Sequence, residues 1–456
     1  MMKQRLFWLL ILFLPIACAK DTSYSPEAAA NSDYFHRAMK RLTDVIVHDI
    51  FSPPVASRIY AYSSIAGYEA ALPGHPEYQS LARQLTSLAP APQPEVGKEY
   101  CYPLASVYAM LKVGQALIFS EDTISLFRER ILQEFKDLGI PRDVYNRSIA
   151  YGEAVGNHIL SWAAADNYSQ TRSYPKYTIS DNPATWQPTP PAYMDGIEPS
   201  WNKIRPFVLD SAQQFVPPPP TAFSTDKNSR FYRETMEVYA VLQTDDAQEA
   251  AEREAIARFW DCNPYVVNQI GHVMFASKKI TPGGHWVNIV RIAATQAQAD
   301  FMKTTAAYAL TSVALADGFI SCWDEKYRSN LIRPESYINK YIDEEWTPLL
   351  QTPPFPEYTS GHSVISRAAA TVLTSIFGDN FAFVDDSEEE FGLPARRFRS
   401  FLHASEEAAV SRLYGGIHYM PAIENGVQQG AKVGQWVLSN VKMRNEAVSM
   451  KQTEQK

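Results

Sequence analysis

Thiols and imidazoles are scarce in this chain, with four cysteines and nine histidines in 456 residues. No two cysteines form a Cys-x-x-Cys pair, which argues against a thiolate zinc or iron–sulfur framework. Positive charge is in deficit, 42 Lys and Arg against 50 Asp and Glu. A formal charge of −8 argues against a nucleic-acid partner. Beyond the N-terminus no run is long and apolar enough for a membrane span. Strand-like alternation is hard to find and no internal repeat is visible.

What is present is globular composition, 46% hydrophobic and 20% charged. The N-terminus reads as an export leader, with Lys3 and Arg5 before the apolar stretch LFWLLILFL, Leu6 to Leu14. Its loss takes the formal charge to −10. LPIAC offers Cys18 as a lipid anchor, although Pro15 stands where a lipoprotein box usually carries an aliphatic residue, and ACA, Ala17 to Ala19, suits an ordinary signal peptidase. Either cut makes this an exported bacterial protein, periplasmic, anchored in the outer membrane or secreted. Cys101, Cys262 and Cys322 then remain, an odd number that permits at most one internal disulfide.

Helical periodicity dominates and predicts an all-α fold of bundles with long ordered loops. In DTISLFRERILQEFKDLGI, Ser120 stands as an N-cap before Glu121 and Asp122. The chain divides into a leader (1–19), an N-terminal helical region (20–166), a Pro-rich loop region (167–230), a C-terminal helical region (231–446) and a tail (447–456). Within the C-terminal helical region a single helical run is expected from Ile292 to about Trp323.

Three segments of that region carry chemistry. In CWDEKYRSNLIRPESY, Lys326 precedes Arg333 by seven, and Pro334 forces Arg333 out of helical geometry. A solvated face would explain those charges on their own. In PPFPEYTSGHSVISRAAATVLTSIFGD, Ser360, Gly361 and His362 open a helix that Gly378 stops. Free N–H groups and the helix dipole favour an anion there, though a serine N-cap alone would also account for the sequence. In SRLYGGIHYMPAIENG, Arg412 lies in the last turn of a helix begun near Ser405 and ended by Gly415 and Gly416, with His418 just beyond. Together these supply three permanent cations, a hydroxyl, a glycine N–H and two histidines in an acidic protein. Buried like charges need a polyvalent anion, and a tetrahedral oxyanion fits.

The ordered set Lys326, Arg333-Pro334, Ser360-Gly361-His362, Ser411-Arg412 and His418 resembles the three-segment signature shared by vanadium-dependent haloperoxidases and type-2 phosphatidic-acid phosphatases. SPPVASRIYAYSSIAGYEAAL, FWDCNPY, GGHW and SCWDEKY extend the resemblance to the secreted bacterial haloperoxidases. The resemblance implies vanadate (vanadium +5, a Lewis acid throughout) as cofactor. His418 is then the metal ligand, and Lys326, Arg333, Ser360, Gly361 and Arg412 hold its oxygens. His362 becomes the acid/base and Lys326 the group that polarises bound peroxide. Hydrogen peroxide, a halide and an organic acceptor are the partners, with iodide favoured and bromide a second halide.

The alternative is a soluble acid phosphatase in which His418 attacks phosphate and His362 protonates the leaving group. Such phosphatases commonly orient the nucleophile with an acid four residues on, where this chain has Ala422; Glu424 or a main-chain carbonyl is the expected substitute. Trp323 and Phe355 resemble the aromatics flanking the vanadate pocket, and Tyr265 and Asp324 are candidates to line the halide approach. Ordinary core packing would explain Trp323 and Phe355 equally. His272, His285 and His403 match no motif and read as structural.

Overall fold

The computed structural model describes residues 24–270, 273–276 and 278–445. The leader with Cys18, the C-terminal tail from residue 446 and His272 lie outside the described residues. The fold is all-α: the described strands are two short antiparallel pairs, Val267–Ile270 with Val273–Ala276 and Phe383–Asp385 with Arg396–Phe398.

The architecture is organised around the helix Phe301–Ser329. Its sequence FMKTTAAYALTSVALADGF carries small side chains on every face, so helices can approach from several sides; Pro53–Ala71, Gly361–Phe377, Pro282–Gln296 and Met420–Asn440 do so. Its most apolar stretch has the length and composition of a membrane span, yet lies wholly inside the protein, as a core helix does. Both helical regions contribute to a common hydrophobic core. The run expected from Ile292 is broken: Pro282–Gln296 ends first, Gln298 turns at φ 49°, and Asp300 caps the next helix through the Lys303 amide at 2.7 Å. Ser120 holds its N-cap position, but its hydroxyl bonds Asp49 instead of the helix amides.

Between Thr171 and Arg230 the only regular element is the 3-10 turn Trp201–Lys203, so this long segment needs external anchors. Asp317, in mid-helix and fully buried, accepts the amides of Phe207, Val208 and Leu209 at 2.7, 2.8 and 3.0 Å. Burial pushes its carboxyl up to about 6, while the three amides pull the other way. Trp323 and Tyr327 add donors to the Ile197 carbonyl.

One contact sets how the last helix meets the site. A Cβ on Gly430 would stand 2.1 Å from the Val364 carbonyl oxygen, so glycine lets Met420–Asn440 lie against Gly361–Phe377 backbone to backbone. Gly430→Ala is therefore expected to lower stability by about 1–3 kcal/mol through forced separation of these helices, read as a lower midpoint in thermal unfolding. An unchanged midpoint would contradict this packing.

Candidate active site

Each cation is placed by a local rule. Lys326 occupies the last turn of the central helix, which stops at Asn330 in left-handed geometry. Its ammonium donates to the carbonyls of Pro356, Glu357 and Thr359 at 3.0, 3.1 and 2.6 Å. Arg333 is extended (φ −77°, ψ 152°) ahead of Pro334, as the proline requires. Its Nε bonds the Phe355 carbonyl at 2.9 Å, Nη1 the Ile417 carbonyl at 2.8 Å, and Nη2 is buried without a partner. Arg412, in the last turn of Phe401–Tyr414, bonds Ser411 Oγ at 3.0 Å and the Trp260 carbonyl at 2.7 Å. That helix begins four residues before the expected Ser405, because Ser400 caps it through the His403 amide at 3.1 Å.

All three cations are at most 1% exposed. Their hydrogen-bond partners are main-chain carbonyls, a hydroxyl and an imidazole, none of them a carboxylate, and Glu357 is the acid whose charge acts on both Lys326 and Arg333. Burial holds Lys326 down to about 7 and Arg333 down to about 10, and it lowers Arg412 as well. This is the electrostatic state of a site that gains from a polyvalent anion.

Ser360 is the N-cap of Gly361–Phe377, and its hydroxyl accepts the Ser363 amide at 3.4 Å. A Cβ at Gly361 would meet Trp323 and the Lys326 Cε at 3.7 and 4.0 Å, ordinary contact distances, and Gly361 borders the site's cavity. His362 follows, half-buried, with its ring bonded to the Trp260 main chain and Nε2 without a partner. Burial, then Arg412, hold its pKa well below the usual value. Burial first, and then Arg333 and Lys326, hold the His418 pKa well below the usual value. Its Nδ1 lies 2.8 Å from Glu357 Oε1, and Arg333 Nη1 donates to its Nε2 at 3.1 Å.

Glu357 thus corrects the expectation for Ala422: the acid that orients His418 comes from 61 residues upstream, rather than from Glu424 or a main-chain carbonyl. The same oxygen accepts the Tyr419 amide at 3.0 Å. Burial pushes this carboxyl up to about 7 while Arg333 and Lys326 pull it down. Sequence alone did not single out Glu357; the one signal that could have found it is a lone acid in the aromatic and proline-rich stretch FPEYTSGH.

The two histidines, Arg412 and Gly361 border one cavity, together with Tyr265, Trp323 and Phe355. The Trp323 and Phe355 rings pack 5.0 Å apart, and Lys326 Nζ and the Arg333 guanidinium lie 5.0 and 5.1 Å from the Phe355 centroid. Asp324 does not belong to this lining. Trp323 and Lys326 are three apart and share a helix face, whereas Asp324 points elsewhere and accepts Asn202 Nδ2 at 2.9 Å and Arg328 Nε at 3.3 Å. Cys101, Cys262 and Cys322 are all free and buried. Among the described structural histidines, His285 is wholly buried and His403 packs on Phe398.

A family model described as the VCPO second helical-bundle domain matches residues 306–446. The crystal structure of a bacterial vanadium-dependent iodoperoxidase is 52% identical, covers 93% of this chain and 98% of its own, and superposes with a TM-score of 0.85. Holo and apo forms of a bacterial vanadium-dependent chloroperoxidase, each 15% identical, cover 86% of this chain with TM-scores of 0.62 and 0.63, a likeness of fold. A search of curated proteins returned no match.

Proposed function

The chain belongs to the vanadium-dependent haloperoxidases, which oxidise halide with hydrogen peroxide, and from that premise we propose that iodide is its preferred halide and assign the roles of its site residues. The observation that carries the assignment is a cavity bordered by Arg412 and by two histidines whose pKa burial depresses, with the buried Lys326 and Arg333 packed against Phe355 of its wall. The residues fit vanadate: Arg333 Nη2 and His362 Nε2 are unpartnered, and Gly361 borders the cavity. When bound, vanadate supplies a pentavalent Lewis acid that activates peroxide.

Glu357 takes up Nδ1 of His418, so Nε2 is the nitrogen left to ligate the metal. Lys326, Arg333 and Arg412 balance the oxyanion charge, with the Ser360 hydroxyl and the Gly361 amide as further donors. His362, unpartnered at Nε2 and with its pKa held low, would accept the proton that hydrogen peroxide gives up at the loaded site. Lys326, held by the Pro356, Glu357 and Thr359 carbonyls, would supply positive charge to polarise bound peroxide. At the loaded site halide would take an oxygen from that peroxide together with a proton from solvent and leave as hypohalous acid, which halogenates an organic acceptor. Iodide is the largest of these halides and loses its hydration most readily, which suits an approach walled by Phe355, Trp323 and Phe319. The 52% identity to an iodoperoxidase supports the same choice. Side-by-side kinetics with iodide and bromide test it: a higher kcat/KM for iodide is expected, and faster turnover of bromide would overturn it. The phosphatase alternative is not favoured.

Glu357→Gln keeps an oxygen for His418 but removes the negative charge beside Arg333 and Lys326. Vanadate affinity is expected to fall about 10–100-fold, measured by equilibrium dialysis; wild-type affinity would remove Glu357 from this role.

Lys326 gives the affinity a pH slope. Because its folded pKa is depressed to about 7, the anion-free protein lacks a proton that the unfolded chain keeps up to its ordinary value of 10.5. This group's contribution to stability therefore falls as pH drops from 10.5 toward 7, and rises with pH across that window. A bound oxyanion raises the ammonium's pKa, so binding takes up a proton there and weakens as pH increases, by up to roughly tenfold per unit. The slope should flatten in Lys326→Met, and identical slopes in the two proteins would contradict it.

The leader directs the chain out of the cytoplasm in this reading, with Cys18 as its lipid anchor. Incorporation of labelled palmitate that is lost in Cys18→Ala tests this; a wild-type protein without label would reject the anchor.

A further inference from the structure

Two of the motifs noted in the sequence, FWDCNPY and GGHW, leave Cys262 and His285 without a role in halide chemistry. The fold brings them together. Cys262 follows the helix Ala247–Phe259, and His285 lies in the first turn of Pro282–Gln296. Glu388 joins them from the turn after the strand Phe383–Asp385. Cys262 Sγ is 3.4 Å from His285 Nδ1 and 3.9 Å from Glu388 Oε1, and the latter two atoms are 3.2 Å apart. All three residues are at most 2% exposed.

A tetrahedral zinc ion with metal–sulfur, metal–nitrogen and metal–oxygen bonds of roughly 2.3, 2.0 and 2.1 Å sets its ligand atoms roughly 3.3–3.6 Å apart. The triangle is within a few tenths of an ångström of that on every edge. The outer partner is also present: His285 Nε2 lies 2.8 Å from Asp385 Oδ2, whose other oxygen accepts the amide and hydroxyl of Ser387 at 3.0 and 2.5 Å. A carboxylate fixing the far nitrogen of a histidine is the usual support of a metal-bound imidazole. Thiolate with imidazole selects zinc over calcium or magnesium. Cys262 also borders the catalytic cavity.

We propose that Cys262, His285 and Glu388 bind a zinc ion, with Asp385 orienting His285, and that this ion braces the wall of the vanadate cavity. His285 stacks on the Trp260 ring at 4.6 Å and 18°. The Trp260 main chain in turn holds both Arg412 and His362. One ion thereby ties three distant segments behind an oxyanion clamp and the acid/base. On binding, zinc displaces the thiol proton and the proton on Nδ1.

The full-length, vanadate-loaded protein from cobalt-supplemented cells provides the test. One cobalt per chain is expected, with a thiolate-to-metal charge-transfer band and the intense visible bands of a four-coordinate ion. Cys262→Ser should lose the charge-transfer band, and Asp385→Asn should weaken zinc affinity about 10–100-fold. A wild-type protein with no such band, or a band that survives in Cys262→Ser, overturns the site. A protein free of metal after growth in zinc also overturns it, and leaves His285 as an imidazolium between two carboxylates. The wild-type spectrum and metal content decide the matter even if a variant fails to fold.

Discussion

Replacing His418 by alanine is expected to abolish vanadate retention, and halide oxidation with it. The other groups at the site hold an oxyanion through charge and hydrogen bonds, which phosphate or sulfate satisfies equally well. His418 is the neutral nitrogen donor that favours a metal-centred anion. Its Nδ1 is committed to Glu357 at 2.8 Å, which fixes the ring and leaves Nε2 toward Arg333 at 3.1 Å. Alanine removes that donor and leaves the Glu357 carboxylate facing a void. Vanadium content after gel filtration, normalised to protein, is the readout, and His418→Gln, which keeps polar bulk, guards against a folding defect. Full vanadium content in both variants, with activity lost, would mean the ligand lies elsewhere.

His362→Ala should behave differently. Removing an acid/base group costs about 10²- to 10⁴-fold in kcat, while the cations and His418 that retain vanadate stay in place. Burial and Arg412 hold the His362 ring neutral, so the wild-type base is available without deprotonation at neutral pH. With vanadate saturating, the limb that His362 sets should lie on the acid side, below the ordinary histidine range, and the variant should lose that limb of the pH profile. A variant that retains wild-type kcat would exclude His362 as the base; a variant that loses vanadium would make it a binding residue instead.

The features visible in the sequence were those set by a few neighbouring residues. Pro334 dictates the extended geometry of Arg333, Ser360 caps its helix, and Gly415 and Gly416 end the helix of Arg412. Each side chain follows from a local backbone rule, and the family resemblance joins them into one site. Features that depend on long-range closure were not visible. Glu357 reaches His418 across 61 positions, and Ala422 pointed to the wrong acid. Asp324 looked like a lining residue because it adjoins Trp323, yet one step along a helix turns a side chain by about 100°. The break after Gln296 was hidden because apolar residues continue through it, and only Gln298 in left-handed geometry with Asp300 as cap reveals it. His285 read as structural, since its partners Cys262, Asp385 and Glu388 lie 23, 100 and 103 positions away.

Buried positive charge is what connects these observations. Lys326, Arg333 and Arg412 sit on three different helices or helix ends, and Glu357 is the acid that offsets two of them while fixing the histidine. An anion completes that arrangement, so loading should stabilise the fold as well as switch on chemistry.

Titration of metal-free protein with vanadate, following iodide oxidation and hydrolysis of a simple phosphate ester in the same samples, tests this most directly. The account predicts that iodide oxidation rises in proportion to vanadate until one ion is bound per chain, while ester hydrolysis stays at background. Hydrolysis by the metal-free protein that vanadate inhibits, with no iodide oxidation at saturation, would contradict it.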